Sequence, residues 1–396
     1  MAFEWDAIIV GAGPGGSSAA YGLAKNGLRV LLLEKEKIPR YKPCGGGLTA
    51  KVRSALDFDF SPTIENTVRE VSLAFGVERK RMNTSEAWCV MRDKFDALLA
   101  ERAVKAGAEL RDAQPVLQVA FEDGGASVTT RSGVERGRVV IGADGVNGIV
   151  RRSAAFPAHG RMGVALEAEM DAPTPALEEW HGALHLDFGA IPWGYAWIFP
   201  KAEHLSVGIG DLVRPGHRTD LRAELARYIA AEPSLRGANT RFMRGHRVPL
   251  GGKFERYHAP QVLLVGDAAG LVDPFTAEGI YYAIRSGQIA AEEVSKVVQG
   301  SDGWNALATG LSSYTRRINA EINSDFRYAW LTTQIFYRIP HLAYRIFVQS
   351  GTLQGGLNAV TDGVLTYRKM MWSQFKHLPR AALRAIKYGQ AQDLPL

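Results

Sequence analysis

Ala7-Ile8-Ile9-Val10, followed at once by Gly11-Ala12-Gly13-Pro14-Gly15-Gly16, leaves few folds open to this 396-residue chain. The four apolar residues read as a short buried strand, and Ser17 to Asn26 read as a helix closed by Gly27. Arg29 to Leu33 form a second strand that ends in Glu34. This is a βαβ unit with a glycine wherever a side chain would obstruct it. Gly11 permits the tight turn, Gly13 lets backbone N–H groups approach a pyrophosphate, and Gly16 lets helix and strand pack closely. Glu34 falls where an acid hydrogen-bonds a ribose 2′-OH, which favours a dinucleotide without a 2′-phosphate. FAD and NAD both satisfy this pattern.

Far downstream, the apolar strand Val262 to Val265 precedes Gly266-Asp267-Ala268-Ala269-Gly270, then Asp273-Pro274-Phe275, Glu278-Gly279-Ile280 and a helix from Tyr281. An Asp capping a helix after a buried strand accounts for Asp267 alone, but not for the whole run. The run resembles the second flavin motif of the para-hydroxybenzoate-hydroxylase-like flavoproteins. That resemblance makes the dinucleotide FAD, with Asp267 on the ribityl chain. It also makes Gly279 and Ile280 the start of a helix whose amides face the flavin pyrimidine edge, where a dipole stabilises the anionic reduced flavin. Two further pieces agree. Met91-Arg92-Asp93 opens a helix, and Val139 to Gly145 reads as strand then turn. The resemblance gives Arg92 a reach to the cofactor and sets Asp144 beside the pyrophosphate; a solvated cation at a helix start also explains Arg92.

With 46% hydrophobic and 22% charged residues the chain can bury a large core. Its formal charge of +6 suits anionic partners, yet no Lys/Arg run is long enough to act as a nucleic-acid arm. Cys44 and Cys89 are the only cysteines, which excludes a disulfide framework, and no cluster has metal-ligand spacing. Met1 to Asp6 lacks the basic and apolar regions of a signal peptide, and apolar runs stop short of a bilayer span. The expected location is the cytoplasm, in solution or on a membrane surface without crossing it.

The remaining pattern gives an α/β (α+β) fold. Gln114 to Phe121 and Ala126 to Thr130 form a hairpin around Asp123-Gly124-Gly125. Val164 to Met170, Ala183 to Phe188, Tyr195 to Phe199 and Leu205 to Gly210 read as strands of a second, antiparallel sheet, followed by a helix over Asp220 to Ala231. A Rossmann-like FAD-binding domain at 1–47, 86–160 and 260–304 is thus interleaved with an antiparallel-sheet substrate domain at 48–85 and 161–259. A helical region follows at 305–396.

Arg40-Tyr41-Lys42-Pro43-Cys44-Gly45-Gly46-Gly47-Leu48 and Trp193-Gly194-Tyr195-Ala196-Trp197-Ile198-Phe199-Pro200, together with the two flavin motifs, resemble the geranylgeranyl reductase family across most of residues 1–300. Members of that family use reduced FAD to reduce isolated C=C bonds of polyprenyl chains on lipids, diphosphates or pigment precursors. The resemblance makes Cys44, Gly45 and Gly47 cofactor-lining, puts Gly15 at the pyrophosphate and Val116 near adenine, and makes Tyr195, Trp197, Phe199 and Pro200 the substrate motif. Period two turns Tyr195, Trp197 and Phe199 one way, and such an aromatic wall suits an apolar chain without a polar handle, although a strand's core face also reads this way.

An isolated trisubstituted alkene cannot stabilise a carbanion, so hydride from flavin N5 must be coupled to a proton at the other carbon. Cys44, Tyr195 and reduced flavin through an ordered water are the candidate donors, and Cys44 is equally a small buried positioning residue. No second dinucleotide turn occurs, so the electron donor is NADPH bound transiently on a surface path or a ferredoxin-like carrier. Beyond Asn305, aromatic residues from Phe326 to Phe347 interleave with Arg327, Arg338 and Arg345, and Lys369, Lys376, Arg380, Arg384 and Lys387 follow. This is the pattern of an interfacial helix on anionic headgroups, or of a helical cap over the flavin domain. Two other functions fit the same scaffold: a flavin monooxygenase or halogenase, and a non-catalytic flavin- and lipid-binding redox module.

Overall fold

In the computed structural model, residues 3–122, 124–251, 255–300, 303–345 and 354–375 are described. Trp5–Val10 lies inside a sheet whose main path runs His258–Ala259, Val262–Leu264, Val134–Gly142, Trp5–Val10, Val30–Leu33, Glu109–Arg111. Pairing along this path is parallel except at its first step, and the hairpin Gln118–Glu122/Gly125–Thr129 adds two antiparallel strands to the lower half of Val134–Gly142. Ala7, Ile8 and Ile9 are fully buried, as the centre of a parallel sheet covered on both faces requires. Four neighbouring parallel strands end at Val10, Leu33, Gly142 and Leu264. Gly11, Glu34, Asp144 and Asp267 therefore gather at one carboxyl edge, the place where open α/β sheets bind ligands.

The second sheet has the order Asn239–Pro249, Met162–Asp171, Leu205–Leu212, Gly194–Pro200, Ala183–Asp187, Ile64–Phe75, Glu78–Val90, Gly47–Leu48. One pairing corrects the purely antiparallel expectation: Ala183–Asp187 runs parallel to Ile64–Phe75. Glu78–Val90 also continues past the expected boundary at 85/86, so its last turn of sheet leads straight into the helix Arg92–Lys105. The edge strand Asn239–Pro249 escaped the sequence reading because Arg241, Arg244 and Arg247 interrupt it on both faces, so no apolar alternation marks it. One face of this sheet packs Leu166, Ala168, Met170, Ala196 and Ile198 beneath the helices Thr174–Trp180 and Leu221–Ala231. The other faces the flavin-type sheet.

The two motifs are locked by backbone contact between the helices Pro14–Lys25 and Ile280–Gln299. A Cβ at Gly287 would lie 2.2 Å from the Gly15 carbonyl oxygen, and one at Gly15 would lie 3.1 Å from that of Ala283. Helix Ser324–Arg338 closes the far end of the molecule, burying Phe326, Ala329, Thr333 and Phe336 and turning Arg327, Leu331, Ile335 and Arg338 outward. One face of this helix is thus packed against the protein as a cap, and the other faces outward. Phe347, Lys376, Arg380, Arg384 and Lys387 lie outside the described residues. No described helix is long and apolar enough to cross a membrane. Gly287→Ala must separate the two helices, and its expected effect is a loss of about 1–3 kcal/mol of unfolding free energy, read as a lower urea midpoint.

Candidate active site

A cavity of about 860 Å³ lies between the sheets, lined by the glycine turn and, among others, by Phe336 and Tyr337. At the turn, helix Pro14–Lys25 starts with Gly13 at its N-cap and no side chain bonded to its first amides. Gly11, at φ +105°, would drive a Cβ to 2.4 Å from the Ala143 carbonyl oxygen, and Gly16 would drive one into the Gly11 carbonyl. A Cβ on Gly13 would meet only Arg40, at 3.8 Å, so the free space beside the helix N-terminus is where the turn opens. Gly15 borders the cavity, but its closest constraint is the opposite helix.

Glu34 is held by the amides of Ala12 (3.0 Å) and Glu36 (3.2 Å) and by Arg40 Nε at 3.3 Å. Its carboxylate therefore stands at the cavity edge in a fixed orientation with lone pairs to spare. Arg40 continues to Asp96 (2.9 Å), which also takes a two-pronged bond from Arg92, both at 2.8 Å. All four side chains are buried, so the ions compensate one another inside the protein. Arg92 is a fixed cavity-lining cation and not a solvated one.

Asp267 does not cap its turn, whose N-cap is Val265 with no side-chain bond. It faces Lys42 Nζ at 3.8 Å and His246 Nε2 at 3.7 Å. Burial would raise its pKa, yet Lys42 and His246 outweigh that and hold it well below the usual carboxylate range. Beyond it, Gly279 starts the helix Ile280–Gln299 without a side-chain cap, leaving that N-terminus also facing the cavity. Val116 lines the opposite margin. Asp144 accepts the Val150 N–H at 3.0 Å and so fixes the short helix Ile149–Ser153 while bordering the same space.

The aromatic strand supplies the other wall. Tyr195, Trp197 and Phe199 all face the cavity, with the Tyr195 and Trp197 rings 6.1 Å apart and edge-on. Trp197 lies so close over Gly208 that a Cβ there would fall 2.1 Å from its ring, and Phe199 covers Gly45 and Gly47 in the same way. Pro200 must be moved out of the substrate motif: alternation turns it to the opposite face, and it does not border the cavity. Tyr195 also changes role. Its hydroxyl donates to the Thr276 carbonyl at 2.9 Å, and burial raises its pKa, so it braces the second flavin motif and holds its proton tightly.

Cys44 sits among the glycines, its Sγ accepting the Gly46 N–H at 3.4 Å and its own N–H donating to Glu167 at 2.9 Å. Lys201, only 2% exposed, ties this loop down by donating to the carbonyls of Gly45 (2.6 Å) and Val90 (3.0 Å). Neither Lys201 nor Glu167 was singled out in the sequence. Lys201 carries no periodic signal, whereas the acids of Glu167-Ala168-Glu169 alternate with the apolar core face of their strand and could have been read.

A family model described as FAD binding domain matches residues 4–321. The digeranylgeranylglycerophospholipid reductase of Methanocaldococcus jannaschii is 30% identical over 357 residues, covering 86% of each chain. The chain belongs to the FAD-binding geranylgeranyl reductase family. It is an FAD-dependent oxidoreductase. A solved geranylgeranyl bacteriochlorophyll reductase-like protein of Thermoplasma acidophilum is 29% identical, with a TM-score of 0.75 over 84% of this chain and 87% of that one. The flavin-dependent brominase Bmp2, at 20% identity and a TM-score of 0.72 over 95% of this chain and 99% of its own, shares the fold.

The loop after Asp267 carries a pH-sensitive group of its own. Asp273, 1% exposed, accepts the N–H groups of Phe275 (2.8 Å) and Thr276 (3.0 Å) and the Tyr367 hydroxyl (3.2 Å), all on Oδ1. Burial pushes its carboxyl up to about 6 against these donors and Lys51. Between the ordinary carboxylate value and that point the folded state holds a proton the unfolded chain has released, so stability falls as pH rises through the window. Asp273→Asn keeps the accepting oxygen and cannot ionise. Its expected effect is to remove this decline, leaving it roughly 3 kcal/mol more stable than wild type above about pH 6, as urea midpoints on both sides of the window will register.

Proposed function

We propose that this family member hydrogenates isolated C=C bonds of a polyprenyl chain of geranylgeranyl type, carried on a lipid, a diphosphate or a quinone. The observation that carries this reading is the aromatic wall of Tyr195, Trp197 and Phe199, the last two laid over glycines, in the same cavity as the dinucleotide turn. Rings of this size offer about 150–250 Å² each to an apolar chain, and Phe336 and Tyr337 add further aromatic surface to the same cavity.

FAD, when bound and reduced, supplies the hydride. The chain's own groups do the rest. The open N-terminus at Gly13 suits the pyrophosphate, the fixed Glu34 carboxylate suits a ribose, and Asp267 suits the ribityl hydroxyls. Gly45 and Gly47 allow close approach of a flat ring, Cys44 is held at the same loop, and the amides at Gly279 and Ile280 stabilise negative charge at the second motif. Phe199 and Trp197 keep water from the reacting carbons, which matters because water would divert a carbon with cationic character. Dithionite-reduced enzyme incubated anaerobically with a geranylgeranyl lipid is expected to return product heavier by two hydrogens per reduced bond. An unchanged mass, or rapid oxygen-dependent hydroxylation or halogenation of an added aromatic, sinks the reading in favour of the monooxygenase alternative.

The substrate class agrees with the outer face of the cap. Leu331, Ile335, Ile339 and Leu342 are each 40–47% exposed in one stripe flanked by Arg327 and Arg338. This composition fits docking on an anionic bilayer, with the apolar stripe in the headgroup boundary. Paired Leu331→Glu and Ile335→Glu changes are expected to reduce cosedimentation with anionic phospholipid vesicles while leaving FAD content unchanged.

A further inference from the structure

The strand Met162–Asp171 divides its side chains cleanly, with Leu166, Ala168 and Met170 in the core beneath the helix Leu221–Ala231. Its other face carries Glu167 and Glu169, each 2% exposed. Glu167 borders the cavity. Its Oε1 accepts the Cys44 N–H at 2.9 Å and the Tyr41 hydroxyl at 2.8 Å, and its Oε2 has no partner among the described residues. No Lys or Arg forms an ion pair with it there. The same Tyr41 hydroxyl lies 3.2 Å from Glu169 Oε1, and Glu169 Oε2 lies 3.0 Å from His204 Nε2. His204 stands in the turn after Pro200, 8% exposed. A continuous row of hydrogen bonds thus leads from that turn, through Glu169 and Tyr41, to the buried Glu167 carboxyl, whose side chain borders the cavity and whose Oε2 is left without a partner among the described residues.

We propose that Glu167 is the proton donor of the reduction, giving its proton from Oε2 to the alkene and regaining one on Oε1 through Tyr41, Glu169 and His204. This rests on the polyprenyl reductase reading. The alkene takes a hydride at one carbon from reduced FAD. Its π pair forms the second C–H bond with the Glu167 proton, so two electrons leave the flavin and Glu167 is left as a carboxylate. His204 delivers a proton to the Glu169 carboxylate, Tyr41 takes it up while passing its own to Oε1 of Glu167, and rotation of each carboxyl group carries the proton to the oxygen that donates it next.

Charge and acidity favour this assignment over the alternatives. Burial raises the Glu167 pKa, as does the neighbouring Glu169 carboxylate, against the pull of Lys201, the Cys44 amide and Tyr41. Arg244, its cross-strand partner, is exposed and donates to the Met243 carbonyl. A carboxylic acid is a far stronger acid than a thiol or phenol, with ordinary pKa values of about 4.3, 8.5 and 10, and an unactivated alkene needs the strongest donor at hand. Tyr195 has its proton on the Thr276 carbonyl, and Cys44 uses its sulfur as an acceptor.

Glu167→Gln separates chemistry from scaffolding, because its amide oxygen still accepts from Cys44 and Tyr41 while no acidic proton remains. In the FAD-loaded enzyme without substrate, the infrared band of a protonated carboxyl at neutral pH should be present in wild type and lost in Glu167→Gln. Anaerobic reoxidation of reduced Glu167→Gln by a geranylgeranyl lipid should slow about 10²–10⁴-fold, with FAD content and reoxidation by oxygen unchanged. Tyr41→Phe should leave the first turnover near wild type and slow the later ones. Reoxidation of Glu167→Gln within about threefold of wild type overturns the proposal, as does an infrared spectrum identical in the two proteins. If Glu167→Gln does not fold, equal later turnovers in Tyr41→Phe and wild type overturn it instead. Failure of wild type to reduce any prenyl lipid overturns the reductase reading, which the substrate-free infrared measurement tells apart.

Discussion

Backbone contact with nothing between holds the site together. The helix Pro14–Lys25 is wedged between its own strand and the helix Ile280–Gln299, and at Gly11, Gly16 and Gly287 the facing partner is a main-chain carbonyl or the atoms just beside it. Side chains at these places would spread the elements apart. The consequence reaches beyond packing. Bringing the two helices into contact also brings their N-termini, at Gly13 and Gly279, to the same cavity, although 266 residues separate them in the chain. Two uncapped helix ends facing one space make a site for an extended ligand that is anionic at one end and electron-accepting at another.

Around that frame, charge is arranged to be rigid. Glu34, Arg40, Asp96 and Arg92 form an alternating buried row whose members come from the second strand, the loop after it and the helix Arg92–Lys105. Removing any one would leave another charge buried and unpaired, so each position enforces the others. Asp267, Lys42 and His246 do the same on the other side with more solvent access. Residues expected to touch the cofactor are thus already oriented by protein partners, which is what a preorganised site requires.

The parts that could be read from the sequence are those with local signals. The βαβ unit, the Asp267 run and the aromatic strand each occupy a short window, and period or glycine spacing reveals them. The purely antiparallel second sheet failed at Ala183–Asp187, because the pairing partner lies more than a hundred residues away and nothing local distinguishes parallel from antiparallel neighbours. Pro200 failed for a simpler reason: a motif read as a unit ignores that adjacent strand residues face opposite ways. Lys42 and His246 beside Asp267, and Lys201 under the glycine loop, are three-dimensional coincidences of distant segments.

On the proposed reading, the cavity must meet two opposed demands: exclude water around a reacting hydrocarbon, and admit a proton. Aromatic rings over glycines meet the first, since the glycines let Trp197 and Phe199 come closer to the backbone than any side chain there would allow. Beside that wall, the strand Met162–Asp171 interleaves acids with core residues. A proton carried along side chains needs no water path through the hydrocarbon region, and the row from His204 to Glu167 approaches along the sheet from outside it. Tyr41 is the joint, with its ring edge-on to Phe242 at 4.9 Å, so that apolar packing fixes the hydroxyl between the two carboxyls. The same loop carries Cys44 and the glycines, so the position of the cofactor-side wall and the continuity of the proton row are set by one short segment, Arg40 to Gly47.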